Sequence, residues 1–306
     1  GNKLQLIALR IQKNRNDLDL LAINTFESDY QQICAMISGN GFPNQPNEEL
    51  QQRYTHQLNL HKVKIEQSLH HIFAEHEAIQ VMVIDELLNW KRNQALAGNG
   101  APFAGDLSNI QRCIEYLLDM VISIRMSVDK MIHLTLTPAL NDLLVKVRRN
   151  QEVLVTSSFI VEKQPPQVMK TNTRFAAGVR WLIGPGMGIS QTAPEVECII
   201  LSEAQAKNFS QTPQIIRDSR QLSREQSGEI QNNRGNMDFN PQTHAFSCSF
   251  RNMQLKKIKR AEKKGTESVM DEKFALLFYT SCLVDNFEIQ VSFLLISNPY
   301  IIEELL

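Results

Sequence analysis

The sequence lacks the features that most quickly assign a protein to a class. No stretch of its 306 residues reaches the roughly 18 consecutive apolar positions a membrane-spanning helix needs. No segment reads as a secretory leader. Gly1-Asn2-Lys3 runs straight into helical pattern without an initiator Met, so we expect a fragment of something longer. The five cysteines (Cys34, Cys113, Cys198, Cys248, Cys282) form no CxxC pair, and an odd, scattered set reads as reduced thiols of an intracellular protein. A formal net charge of −1 excludes a uniformly basic coat for nucleic acid.

Catalytic signatures are missing too. His56, His61, His70, His71 and His76 crowd one stretch but supply no HExxH, so they read as solvated or seam-flanking side chains and no metal is expected. "GPGMG" at 184–188 lacks a GK[ST] ending and lies between strand patterns, which predicts a hairpin turn rather than a phosphate loop. No GxSxG or paired Cys/His nucleophile occurs. We expect no enzyme and no cofactor.

What is present is periodic. Leu107, Ile110, Ile114, Leu117, Val121, Ile124, Val128 and Met131 follow alternating steps of three and four, the seam of a coiled coil, with Asp106 as N-cap candidate. Leu58, Ile65, Leu69, Ile72, Ile79, Val83 and Leu87 line a second long helix, from "PNEEL" to about Ala97. Leu4, Ile7, Ile11, Leu18 and Leu21 repeat the rule with Asn14 in the seam, and Leu140, Leu143, Val147, Asn150 and Leu154 follow Pro138. Four such segments joined by Pro/Gly loops predict an antiparallel four-helix bundle over 1–157.

Beyond 157 the pattern turns to short β-rich runs: "SSFIVEKQPPQ", "RFAAGVRWLI", "EVECIIL", "HAFSCSF" and "KFALLFY". Clusters of Gly, Pro, Asn and Ser bound them, as in a β-sandwich or barrel. The polar tract 204–227 reads as a loop. Charge divides with the pattern. Residues 1–157 hold 15 Lys/Arg and 17 Asp/Glu, net −2, whereas 158–291 hold 17 and 14, net +3. Much of that excess lies in "QLKKIKRAEKKGTE" (254–267), where Lys256, Lys257, Lys259, Arg260, Lys263 and Lys264 meet only Glu262 and Glu267. Charge alone leaves three alternatives, a nuclear address, a grip on nucleic-acid phosphates or a solvated hairpin arm. Lys163, Lys170 and Arg174 form a second basic cluster around the prolines.

Four phrases carry a resemblance: "VIDELLNWKRNQALAGNGAPF" (83–103), "SSFIVEKQPPQVMKTNTRFAAGVRWLIG" (157–184), "SGEIQNN" (227–233) and "FRNMQLKKIKRAEKKGTESVMDEKFALLF" (250–278). In this order they resemble the STAT family, the signal transducers and activators of transcription. The likeness is to the branch serving prolactin-type and interleukin-4-type cytokines and to invertebrate members. It implies a four-helix coiled-coil domain over 1–157 and an immunoglobulin-like DNA-binding domain over 158–291. It further implies a cytoplasmic and nuclear transcription factor of Janus-kinase signalling. The implied partners are double-stranded DNA, coiled-coil-binding proteins and importins, with full-length relatives homodimerising through SH2 domain and phosphotyrosine.

Position by position, the resemblance matches Lys170 and Arg174 to DNA-facing residues, and Lys263 and Lys264 to a loop that approaches the duplex; the nearby Lys163 joins this set. Lys256, Lys259 and Arg260 match an import segment. Lys91 and Arg92 resemble a second import element, although Asn93 stands where the family pattern often has another arginine. After "FEIQV" the likeness ends, and 292–306, "SFLLISNPYIIEELL", is expected to be a divergent read-through tail that leaves the sandwich incomplete. Such a form would lack SH2 domain and activating tyrosine. A rival expectation is an interaction scaffold or dominant-negative decoy with no productive DNA binding.

Overall fold

A computed structural model describes residues 2–38, 48–97, 103, 105–166, 168–184, 194–211, 224, 226–259, 273–284 and 287–303. Helices come first and strands after, in two compact units. One is built from the chain up to Leu87 together with Arg112–Leu154, the other from Leu88–Gln111 together with Val155 onward. The boundary falls inside a helix rather than at a single point in the chain.

The leading helices are α1 (Asn2–Asp19), α2 (Ile23–Ile37), α3 (Glu48–Ala97), α4 (Ser108–Thr135), a 3-10 turn (Pro138–Leu140) and α5 (Asn141–Ser157); the end of α3, the start of α4 and the end of α5 belong to the second unit, and the rest make the helical unit. The seams named from the sequence are its core: Ile65, Leu69 and Ile72 from α3 meet Val121, Ile124 and Val128 from α4 and Leu143 and Val147 from α5. Burying each such side chain contributes about 1.5–3 kcal/mol. The polar contacts give the directions. Arg10 on α1 meets Glu75, and Lys3 meets Glu86, so α1 and α3 run opposite ways. Arg148 on α5 approaches Asp129 on α4 at 3.8 Å across the intervening turn.

Asn14 is buried in the seam, as its spacing predicts, and its side-chain amide donates to the Ile72 carbonyl at 3.0 Å. A partnered seam Asn favours one register over its neighbours. Asp106 also acts as expected, its carboxylate accepting from the Ser108 N–H at 2.9 Å and the Ser108 hydroxyl at 2.6 Å. Those bonds favour the ionised carboxyl and hold its pKa below the usual value.

The series that opens at Leu4 forms α1, and a helix that no segment foresaw, α2, follows it where Ala22 takes φ 50° and breaks the ladder. One expectation fails in this unit. His76 is neither solvated nor flanking: it is fully buried, while His56, His70 and His71 stay exposed. Its position one turn from Ile72 and Ile79 puts it on the inner face of α3.

Leu136, just past α4, has φ 50° and is 86% exposed, with its N–H on the Ile132 carbonyl at 2.9 Å. A left-handed residue at a helix C-terminus favours glycine. Leu136→Gly is expected to raise the stability of the helical unit by about 0.5–1 kcal/mol, read from its urea midpoint.

Among the described residues the second unit holds ten strands in two five-stranded sheets. The first runs β1 (Phe159–Lys163), β3 (Arg174–Trp181), β8 (Ala245–Ile258), β5 (Gly228–Gln231), with β7 (Asp238–Asn240) also on β8. The second runs β2 (Val168–Lys170), β10 (Phe287–Glu303), β9 (Lys273–Val284), β4 (Glu195–Ser202), β6 (Arg234–Asn236). All ladders are antiparallel except β2 with β10. The sheets close on each other through rings such as Phe250 of β8 and Phe278 of β9, 5.7 Å apart. A side chain has no room on Gly228: a Cβ there would stand 2.5 Å from the Lys257 carbonyl of the neighbouring strand and 2.8 Å from Ile200 of the other sheet.

Two further expectations are corrected, and a third, the "GPGMG" hairpin, falls at 185–188 outside the described residues; β3 and β4, the described strands on either side, belong to different sheets. The tract expected as loop opens with α6 (Glu203–Gln211), which packs on β4 and β9. Its start carries a reciprocal cap: the Gln205 N–H donates to the Ser202 hydroxyl at 3.3 Å, and the Ser202 N–H donates to the Gln205 side-chain oxygen at 2.9 Å. The sequence signal is "SEAQ", a capping box. Finally, β10 runs unbroken through position 291 to Glu303 and fills the place between β9 and β2, so the expected tail forms ladder rather than leaving an open edge there.

Candidate nucleic-acid interface

One end of the first sheet gathers cations from β3 and β8, with Lys170 of β2 in the second sheet beside them. The ladder sets Arg174 of β3 opposite Gln254 of β8, and Gln254 opposite Gln231 of β5. Alternation along β8 turns Met253 and Leu255 into the core and leaves Gln254 and Lys256 on the outer face. Lys256 therefore stands beside the turn that joins Lys170 to Arg174. Lys257 faces Glu229 across the β5–β8 ladder, and Lys259 is exposed at the end of β8, its N–H on the Ser227 carbonyl at 2.8 Å. Lys163 lies farther up, opposite Gly178 on the other side of β3.

These cations differ from those of the helical unit. There, Lys3, Arg10, Arg15 and Lys130 meet Glu86, Glu75, Asp119 and Glu27 across helices. Among the described residues, Lys163, Arg174, Lys256 and Lys257 make no salt bridge. Cations clustered on an exposed sheet end project a positive potential into solvent. It suits a ligand carrying several negative charges.

The backbone of this end is held in turns that need left-handed residues. Asn172 has φ 62° and Asn232 has φ 55°, and asparagine tolerates that region better than most side chains. Lys170's carbonyl accepts from the Thr173 N–H at 3.3 Å and the Thr173 hydroxyl at 2.6 Å, which closes the first turn. Asn232 donates from its side chain to the Asn252 carbonyl at 2.9 Å, tying the second turn to β8.

The structure thus brings Lys170, Arg174 and Lys256 together, with Lys259 at the same strand's end and Lys163 outlying. Arg260, Lys263 and Lys264 lie outside the described residues. Lys91 is placed otherwise: its ammonium approaches the Ser157 carbonyl at 3.4 Å, and burial lowers its pKa to about 8. Its neighbour Arg92 is exposed and bonded to Asn89. Sequence reasoning missed Asn172, Asn232 and Gln254, although asparagine between polar residues in "KTNTR" and "QNNRG" is itself a turn signal.

Farther along β3, Arg180 is buried and its guanidinium serves three elements. It donates to Glu162 of β1 at 2.9 Å, to the Gln111 side-chain oxygen of α4, and to the Thr243 carbonyl at 3.2 Å. Gln111 in turn donates to the carbonyls of Thr243 and His244 at 2.9 and 3.1 Å. This node fastens β1, β3, the start of α4 and the turn before β8 into one body.

A helical unit followed by a sandwich with a basic end is a modular arrangement. The comparisons with known proteins say which kind. The family model "STAT transcription factor, coiled-coil domain" matches residues 1–157, and "STAT protein, DNA binding domain" matches 163–302. The chain belongs to the STAT family of transcription factors. Over 234 residues, 75% of this chain, it is 53% identical to the Drosophila melanogaster "Signal transducer and transcription activator". Over 237 residues it is 37% identical to the human "Signal transducer and activator of transcription 6". It spans 31% and 27% of those two proteins. Among solved structures, the "Crystal Structure of STAT2 in complex with IRF9" shares 14% identity, covering 51% of this chain and 92% of that one, at a TM-score of 0.35. The DNA-binding match reaches position 302, past the boundary expected at 291. Among the described residues no helix is long and apolar enough to cross a membrane.

Proposed function

We propose that the chain is the coiled-coil and DNA-binding portion of a sequence-specific transcription factor that answers cytokine-type receptors through a Janus-type kinase, working between cytoplasm and nucleus. The observation that carries the DNA half is the convergence of Lys170, Arg174 and Lys256 around one pair of turns on the outer face of a sheet. Lys170 and Arg174 neutralise phosphates or reach a base edge, Lys163 extends the track along β1, and Lys263 and Lys264 add phosphate contacts. Lys256 and Lys259 double as import residues together with Arg260. Arg92 offers a weaker import contact than the family pattern, because Lys91 beside it is largely enclosed. Importins, coiled-coil partners and dimerisation through an SH2 domain belong to this reading.

Without a second protomer, each chain holds one half-site and loses the gain from effective concentration. Its DNA binding is then weak and steeply salt-dependent. Fluorescence anisotropy with duplex DNA over a salt series tests this. Lys170→Glu and Arg174→Glu are each expected to weaken binding by about tenfold and to lower the salt slope by about one. Unchanged binding in both variants would remove these residues from the interface.

A second reading, a recruiting scaffold or decoy, is favoured by apolar side chains exposed on the helical unit, with Leu6 and Leu9 three apart on α1 and Leu60 and Val63 on α3. Wild-type DNA binding in the two charge-reversal variants, with partner capture through those helices, would support it.

A further inference from the structure

Lys170 and Arg174 are four residues apart but belong to different sheets: β2 pairs with β10 in the second, β3 with β8 in the first. The turn between them is therefore a corner where the chain changes sheets, and the spacing of the two cations depends on how firmly it is held. Its own closing bonds, from Thr173 to the Lys170 carbonyl, fix its shape but not its place. Place comes from β8, by two bonds. The Asn172 N–H donates to the Leu255 carbonyl at 2.8 Å, and the Gln254 side-chain amide donates to the Asn172 carbonyl at 2.6 Å. The second bond joins residues 82 apart in sequence.

We propose that Gln254 is a positioning residue for DNA binding: it pins the Thr171–Thr173 corner to β8 so that Lys170 and Arg174 meet the duplex with a fixed separation. This rests on the reading that Lys170 and Arg174 contact DNA. Gln254 is suited to the task by register and chemistry. It stands opposite Arg174 in the ladder, half-exposed on the outer face, and it is uncharged, so it orders the corner without competing for the phosphates. Asn172 at φ 62° needs such a hold, since a non-glycine residue in that region relaxes when its surroundings allow. Pre-ordering two cations spares the cost of ordering them on binding, and that cost otherwise subtracts from affinity.

The experiment is a double-mutant cycle with the full chain and duplex DNA, at low ionic strength where weak binding is still measurable. Four proteins are compared: wild type, Gln254→Leu, the Lys170→Gln/Arg174→Gln double variant, and the triple variant. Gln254→Leu is expected to weaken binding about three- to tenfold in the wild-type background, the range of one hydrogen bond. In the double variant the same change is expected to cost nothing further, because Gln254 acts through the missing cations. Amide exchange at Asn172 should quicken in Gln254→Leu while the melting temperature holds. Equal losses in both backgrounds would overturn the proposal, by making Gln254 a direct contact or a general stabiliser; no loss in either would overturn it as well. If Gln254→Leu lowers the melting temperature, Gln254→Met repeats the cycle with a closer match in length. Should the double variant bind like wild type, the DNA reading of Lys170 and Arg174 falls and takes the positioning role with it. A weakened double variant with an inert Gln254 would sink the positioning role alone.

Discussion

Trp181→Ala is expected to cost the strand-rich unit about 3–5 kcal/mol, enough to unfold a marginal domain and abolish DNA binding without touching a DNA-facing residue. Trp181 is fully buried at the end of β3, its indole edge-on to Phe159 with ring centres 6.2 Å apart. The ladder sets it between Phe159 on β1 and Phe246 on β8, so truncation opens a void among three strands at once. Its indole N–H donates to the Val155 carbonyl at 3.0 Å, but the Ser158 hydroxyl also donates to that carbonyl at 2.7 Å. The carbonyl therefore keeps a partner in Trp181→Phe, for which we expect only about 1–2 kcal/mol. Hydrogen exchange of the β3 amides, read with a denaturation midpoint, separates the two variants. A Trp181→Ala protein as stable as Trp181→Phe would contradict the packing assigned here.

Acid should weaken the helical unit through one side chain. Burial lowers the His76 pKa from 6.5 to about 4; the Gln80 and Asn150 side chains lie close enough to oppose this in part without completing a hydrogen bond to the ring. Neither ring nitrogen reaches a hydrogen-bond partner among the described residues. The folded value lies below the unfolded one, so the fold holds the neutral imidazole while the unfolded chain takes up the proton more readily. Its contribution is complete above about pH 6.5 and is lost as the pH falls toward about 4. Between about pH 7 and about pH 5 the unit should lose about 2 kcal/mol from this residue, at about 1.4 kcal/mol per pH unit below 6.5. The measurement is urea stability at both pH values for wild type and His76→Met. The nontitrating variant should show a shallower decline by that amount, since other histidines cancel in the comparison. Parallel profiles would place the proton elsewhere.

The helical half was nearly legible from spacing. Every position of the Leu107–Met131 seam is buried, because heptad period is a local property and the partner need only offer another apolar stripe. What spacing did not reveal was depth. His76 sits within the α3 seam series and reads from the sequence as a flanking polar residue, yet the fold encloses it. In the strand half the runs were visible and their partners were not. β3 and β4 are consecutive and look like a hairpin, but they join different sheets, because strand pairing is decided by how two whole sheets close. α6 was passed over because polar composition outweighed its capping box.

The sequence by itself determined the order of the two architectures, the faces of the long helices, the main strands and a basic excess in the second half. Its four phrases also carried the family resemblance. Each of these is written in residue types over short spans, where side-chain period and turn chemistry act. Only the tertiary structure decided that Lys170 and Arg174 flank a corner between sheets, that Gln254 reaches that corner from 82 residues away, and that Lys91 turns inward while Lys256 stands beside Arg174's ladder partner. Those facts depend on contacts between distant segments. The free energy of such contacts comes from closing the whole sandwich, and no local stretch encodes which of its neighbours it will meet.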